Sequence, residues 1–284
     1  MEIIREKRCV IGEGPIWNER DGLLYYVNAM GNREICTLDP ITLKTEVYGQ
    51  SEPVSAMAFT KDGRMIASRP DGVVFLNMYS SEWEYMYDPH KYRLLHCNDA
   101  KVGPDGRLYV GTQSEKRLKI SDRVDGRLYC IDSDGQVKVL LDGLILSNGM
   151  DWSMDGKFFY HVDSGTKLVS EYRFYAEEGS IEPTGRAVFL KGADGLTVST
   201  DGYLLVACWG QAHVAVVDAS TMEIASYIEL PAPAPASCGF FGSGMDMLAI
   251  TTASYGVDVE KHPESGYLMI HKSKMKGRTP YLFG

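Results

Sequence analysis

Four residues in this sequence combine an oxygen-bearing side chain with a recurring position. Glu13 lies in GEGPIW, Asn98 in HCNDAKV, Asn148 in LSNGMDWS and Asp194 in KGADGLTV. Asn98, Asn148 and Asp194 each stand seven residues before an Asp-Gly pair (Asp105, Asp155 and Asp201), and Glu13 stands eight before Asp21. Carboxylates and amide carbonyls are the ligands that hard divalent cations select. In a radial repeat, equivalent positions point toward one axis, so these four side chains are predicted to converge. Each has a blander reading when taken singly: a glutamate in a Gly-Pro turn is a solvated loop residue, and Asn-Gly and Asp-Gly are ordinary turn formers. The shared offset favours a site. Asp99, beside Asn98, adds a carboxylate suited to proton transfer. His96 is a lone histidine next to a strand, a setting in which packing or hydrogen bonding is commoner than catalysis.

Other chemistries leave no trace. The sequence has no GxSxG elbow, no GxxxxGK[ST] loop, no HExxH and no cysteine pair at zinc spacing. Its six histidines are scattered, and nothing points to a serine–histidine triad.

The elements that would position the four residues follow from repetition, which must be sought first. An Asp-Gly turn followed by a β-rich run occurs as DGLLYYV from Asp21, DGRMIAS from Asp62, DGRLYVG from Asp105, DGKFFYH from Asp155 and DGYLLVA from Asp201, with a degenerate sixth copy, MDMLAIT, from Met245. Successive copies are 41, 43, 50, 46 and 44 residues apart. That is the period of four-stranded blades. Asp-Gly supplies the positive φ of a tight hairpin, and the branched and aromatic residues behind it favour a pleated strand. Each copy leads into a second hairpin, as in GRLYCIDSDGQVKVLL and VAVVDASTMEIASYIEL. The pattern predicts an all-β fold, a six-bladed β-propeller with four antiparallel strands per blade, in one domain over residues 1–284. EIIREKRC at the start is expected to complete the last blade, which GYLMIHKSK begins. Trp17 and Trp152 read as blade core or mouth lining, with core favoured.

Composition sets the outer limits. The 284 residues are 44% hydrophobic, with 38 acidic against 29 basic side chains and a formal net charge of −9. A field of that sign repels phosphate backbones and disfavours nucleic acid as a partner. No stretch reaches the roughly 20 apolar residues of a membrane span, and the first residues lack a signal-peptide core. Six scattered cysteines in such a chain read as reduced, buried thiols of a cytoplasmic protein.

Taken together, GEGPIW, NDAKVGPDGRLYVGT, SNGMDWSMDG, ADGLTVSTDGYLLVACW and ELPAPAPASCGFFG resemble the gluconolactonase/regucalcin family of six-bladed propellers over nearly the whole chain. The resemblance implies that Glu13, Asn148 and Asp194 hold one divalent metal ion, whether calcium, zinc, manganese, magnesium or iron. It implies that Asp194 is also the catalytic proton acceptor and donor, and that Asn98 contacts substrate or a metal-bound water. The substrate would be a small sugar lactone, opened to its acid, and the protein a monomer or weak homo-oligomer. Either Asp194 or Asp99 takes the proton of the attacking water, or the cation supplies the hydroxide and Asp194 positions it. Two departures bear on specificity. His96 stands where the family often has arginine, and the segment QSEKRLKISDRVDG is atypical, with Glu115 in the place of a substrate-binding acid and Lys116 beside it. The readings left open are a calcium-binding protein without turnover, a lactonase or esterase for a non-sugar substrate, an interaction propeller and a phosphoester hydrolase.

Overall fold

The computed structural model describes residues 1–30, 33–87 and 96–284. Each Asp-Gly phrase turns the chain from the first strand of a sheet into its second. Glycines 22, 63, 106, 156 and 202 all take positive φ, between 68° and 93°, the conformation that two-residue turns demand of glycine. Six four-stranded antiparallel sheets result among the described residues. In blade 1 these are β2 (Gly12–Asn18), β3 (Leu23–Asn28), β4 (Glu34–Leu38) and β5 (Thr45–Gly49). Blade 2 has β6 (Ala56–Phe59), β7 (Met65–Arg69), β8 (Gly72–Asn77) and β9 (Glu82–Tyr85). Blade 3 has β10 (Cys97–Val102), β11 (Leu108–Thr112), β12 (Gly126–Ile131) and β13 (Val137–Leu144). Blade 4 has β14 (Ser147–Trp152), β15 (Phe158–Asp163), β16 (Leu168–Tyr175) and β17 (Ser180–Phe189). Blade 5 has β18 (Ala193–Val198), β19 (Tyr203–Cys208), β20 (His213–Asp218) and β21 (Glu223–Glu229).

The sixth blade closes the ring. β22 (Pro235–Phe241), β23 (Met247–Thr252) and β24 (Leu268–Lys272) are joined by β1 (Glu2–Ile4), whose Ile3 lies opposite Met269. The N-terminal segment therefore completes the last blade as the sequence predicts. GYLMIHKSK does not begin that blade; it supplies the third strand, because β22 and β23 precede it. This is the six-bladed β-propeller expected from the repeat.

Burial falls from the axis outward. Every residue of β14 and β18 is buried, whereas every residue of β9 is exposed. The core lies between the inner strands of adjacent blades. Trp152 is fully buried there, its ring 4.8 Å from Tyr109 in an edge-on contact, an arrangement favoured by the ring quadrupoles. Trp17 packs against Phe241 across the ring closure. The six cysteines are buried and form no disulfide among the described residues, and no helix there is long and apolar enough to cross a membrane.

After β24 the chain crosses the face that carries the Asp-Gly turns. Thr200 N–H donates to the Lys276 carbonyl (2.7 Å), Lys61 N–H to the Phe283 carbonyl (3.0 Å) and Gly284 N–H to the Gly106 carbonyl (3.0 Å). The tail thus spans turns from three blades and lays Phe283 into the core between blades 2 and 3. The opposite end of the axis, where the inner strands begin, is the mouth.

Candidate metal and substrate site at the propeller mouth

Glu13, Asn98, Asn148 and Asp194 are each the second residue of an inner strand, β2, β10, β14 and β18. All four strands are bulged at that point. Pairing shifts between Glu13 and Ile16, Cys97 and Ala100, Ser147 and Met150, and Ala193 and Leu196. A bulge opposes two residues to one and turns a side chain out of its normal alternation. β6 has no such shift and carries Met57 at its second position, so blade 2 presents no oxygen ligand there. The glycines after Asn148 and Asp194 are not turn residues. A Cβ on Gly149 would lie 2.5 Å from the Asp194 carbonyl oxygen, and one on Gly195 would lie 2.6 Å from Ser237 Cβ. Only glycine lets neighbouring inner strands approach this closely.

The polar contacts tie the four positions together. Asn148 Nδ2 donates to Ser164 Oγ (3.2 Å) and to Asp194 Oδ1, which uses up the amide nitrogen and leaves Oδ1 for another partner. Asn98 Nδ2 donates to the Ser147 carbonyl (3.0 Å), while its Oδ1 accepts from Gln113 Nε2 (3.3 Å). Among the described residues, Glu13 accepts a single hydrogen bond, from the Gly14 N–H at 3.3 Å. Ser147 Oγ and His161 Nε2 lie 2.7 Å apart, both sealed from solvent. Burial lowers the His161 pKa to about 3, so the ring is neutral. This pair has no access to substrate and braces the strand that carries Asn148.

Three carboxylates at the mouth act on one another through their charges. Removal from water, followed by the charges of Asp194 and Asp99, holds the Glu13 carboxyl well above its usual range. Removal from water and the charge of Asp99 do the same to Asp194, against the Asn148 hydrogen bond and the charge of Arg117. Asp99 is raised chiefly by desolvation, against the pull of Lys101. Like charges brought together away from water repel, so carboxylates coupled in this way favour a nearby cation. Among the described residues no three His, Cys, Asp or Glu side chains gather closely enough to hold a metal by themselves. Any ion here would depend on an amide oxygen such as that of Asn148 beside Glu13 and Asp194.

The remaining expected residues divide. Asp99 is in the set. His96 lies at the rim, its backbone at φ 62° and its carbonyl accepting from Gln113 N–H (2.9 Å). Glu115 sits on the segment above the mouth, but Ser121 Oγ donates to its carboxylate (2.7 Å) and Arg123 faces it at 3.4 Å. Its acid is spent within that segment. Residues not anticipated from the sequence are Arg117, whose charge reaches Asp194, and a floor of ion pairs deeper in the channel. There Asp151 Oδ2 accepts from Lys101 Nζ (2.9 Å) and Val198 N–H (3.0 Å), and Oδ1 accepts from Arg278 of the tail. A tail residue crossing to another blade has no local sequence signal.

Residues 11–254 match the family described as SMP-30/Gluconolactonase/LRE-like region. The chain belongs to this family. Among curated relatives, it is 30% identical to regucalcin of Oryctolagus cuniculus over all of this chain and 98% of that one. It is 29% identical to a Bacillus subtilis protein provisionally named sugar lactone lactonase YvrE, over 98% of this chain and 96% of that one. Among solved structures, a calcium-binding protein, regucalcin, from Agrobacterium tumefaciens superposes with a TM-score of 0.87 at 22% identity, covering 99% of this chain and 96% of that one. The last likeness bears on the fold alone, and the propeller is that of the SMP-30/gluconolactonase family.

Proposed function

We propose that this protein hydrolyses a small sugar lactone with one divalent cation held by Glu13, Asn148 and Asp194. What supports the reading is the Asn148 amide nitrogen engaged by Asp194, together with the charge of Asp194 acting on Glu13, the three residues standing on separate blades at one end of the axis. The donor set fits the ion: all its atoms are hard oxygens, and the excess negative charge is what a dication would neutralise. Kinship with a provisionally named sugar lactone lactonase supports the substrate class.

When bound, the cation would polarise the lactone carbonyl and stabilise the oxyanion that develops on it. Asp194 orients the attacking water and accepts its proton as oxygen bonds to the carbonyl carbon. The same carboxyl then delivers that proton to the ring oxygen as the C–O bond breaks, leaving a hydroxy acid. Asp99, on the inner strand two blades away, keeps negative potential toward Asp194 and strengthens it as a base. Asn98, locked by Ser147 and Gln113, offers a fixed amide to a ring hydroxyl.

The test is a panel of aldonolactones assayed with chelator-stripped enzyme and with enzyme reloaded with single divalent ions. Loss of turnover on stripping, restored by reloading, is expected. Turnover indifferent to chelation would overturn the role of the metal. The second reading, cation binding without turnover, is favoured by the regucalcin relatives. It predicts ion binding with no hydrolysis across the panel.

A further inference from the structure

The segment over the mouth, residues 113–125, is rooted where substrate would enter. Buried Ser114 donates N–H and Oγ to the Ile145 carbonyl (both 3.0 Å), and the Gln113 amide holds Asn98. Ser114 Oγ accepts from the Arg117 N–H (3.1 Å), which fixes Arg117 one turn from the root. Ile145 lies three residues before Asn148, so this root stands beside two of the four converging residues.

Within the segment the charges are sorted. Glu115 and Asp125 are both engaged by Arg123, at 3.4 and 3.2 Å. Lys116, Arg117 and Lys119 are exposed, and among the described residues none has a side-chain hydrogen bond or ion pair. Asp122 is the one acid left in the same state. The chain carries a formal net charge of −9, so its overall field repels an anion. With Lys116, Arg117, Lys119 and Arg123 against Glu115, Asp122 and Asp125, this segment is slightly positive where the chain as a whole is negative, and it is rooted at the mouth through Asn98 and Ile145. The guanidinium of Arg117 acts on Asp194 through space yet is not consumed by it. An arginine fork without a partner is built to take a carboxylate on two parallel N–H bonds.

We infer that Arg117 binds a carboxylate on the substrate, so that the preferred substrate is a lactone bearing a free carboxylate, of the aldaric or uronic type, rather than a neutral aldonolactone. The inference rests on the lactonase reading for the ring and stands apart from it for the anion. Lys116 and Lys119 add attraction without geometry. Glu115 pairs with Ser121 and Arg123 and so helps hold the segment in shape.

Metal-loaded enzyme should be assayed with a neutral aldonolactone and with the matching aldarolactone. Wild type is expected to prefer the carboxylate-bearing ring by at least tenfold in kcat/KM. R117A should erase most of that preference through KM, and R117K should restore part of it. In parallel, calorimetry with the open-chain aldarate and the open-chain aldonate reads anion capture without turnover. Aldarate should bind more tightly than aldonate in wild type and equally in R117A. If no lactone is hydrolysed but aldarate binding still depends on Arg117, the lactonase reading fails and the anion site stands. Equal losses on both lactones, or aldarate binding unchanged in R117A, would overturn the inference. Unaltered melting of R117A confirms that the segment and blades remain folded.

Discussion

Asp151 and Asp194 sit on neighbouring inner strands, and both are buried, at 3% and 9% exposure. Desolvation pushes both carboxyls upward. Asp151 nevertheless ends below its ordinary pKa, because the charges of Arg278 and Lys101 and several N–H donors overcome that cost. Asp194 ends well above, because the charge of Asp99 adds to desolvation, and the Asn148 hydrogen bond and the charge of Arg117 do not offset them. The floor of the channel is neutralised by the chain itself, and the mouth is not. A charge satisfied internally holds blades together, whereas one left over is available to a ligand.

The largest effect should come from removing the leftover charge. Asp194→Ala is expected to lower lactone hydrolysis about a thousandfold or more, with bound metal lost in elemental analysis. Full activity with metal retained would remove Asp194 from the chemistry. At the floor, Arg278→Ala should leave metal binding in place but cost about 2 kcal/mol of stability, the scale of a hydrogen bond to a charged group, since Lys101 still pairs with Asp151. Denaturant melts would show it, and Asp151→Asn in the same chain should recover part of the loss, since the two residues share one interaction.

Between mouth and floor lies His161, and here the effect depends on pH. The folded-state pKa is about 3 against an ordinary 6.5. Below 6.5 the unfolded chain binds a proton that the folded one refuses, so stability falls as pH drops from 6.5 toward 3. The loss approaches roughly 4 kcal/mol at the acid end. His161→Asn should flatten that part of the stability–pH curve, whatever it costs at neutral pH. The smallest change is Ser164→Ala. It removes one acceptor from the Asn148 amide and should weaken metal binding about tenfold, with little change in melting.

Much of this was legible in the sequence because it is periodic. Asp-Gly turns at regular spacing announce the blades, and oxygen side chains at a fixed offset announce the mouth. Asn148-Gly149 and Asp194-Gly195 were harder to read, since the same dipeptides make turns; their glycines serve close strand approach, which is visible only once neighbouring blades are in place. Asp151, Lys101 and Arg278 were not legible at all. They lie in three separate parts of the chain, and an ion pair between them has no period to betray it. Arg117 was hidden for a related reason: a run of charges shows its members but not which ones pair with each other.

The claim that oxygens from three blades meet around one cation is tested most directly by equilibrium binding of divalent ions to chelator-stripped protein. Wild type should bind one ion per chain. Glu13→Gln, Asn148→Ala and Asp194→Asn should each raise Kd a hundredfold or more, whereas Asp151→Asn, equally buried but paired, should leave Kd near its wild-type value. Binding that persists unchanged in the three mouth variants, or fails alike in Asp151→Asn, would contradict it.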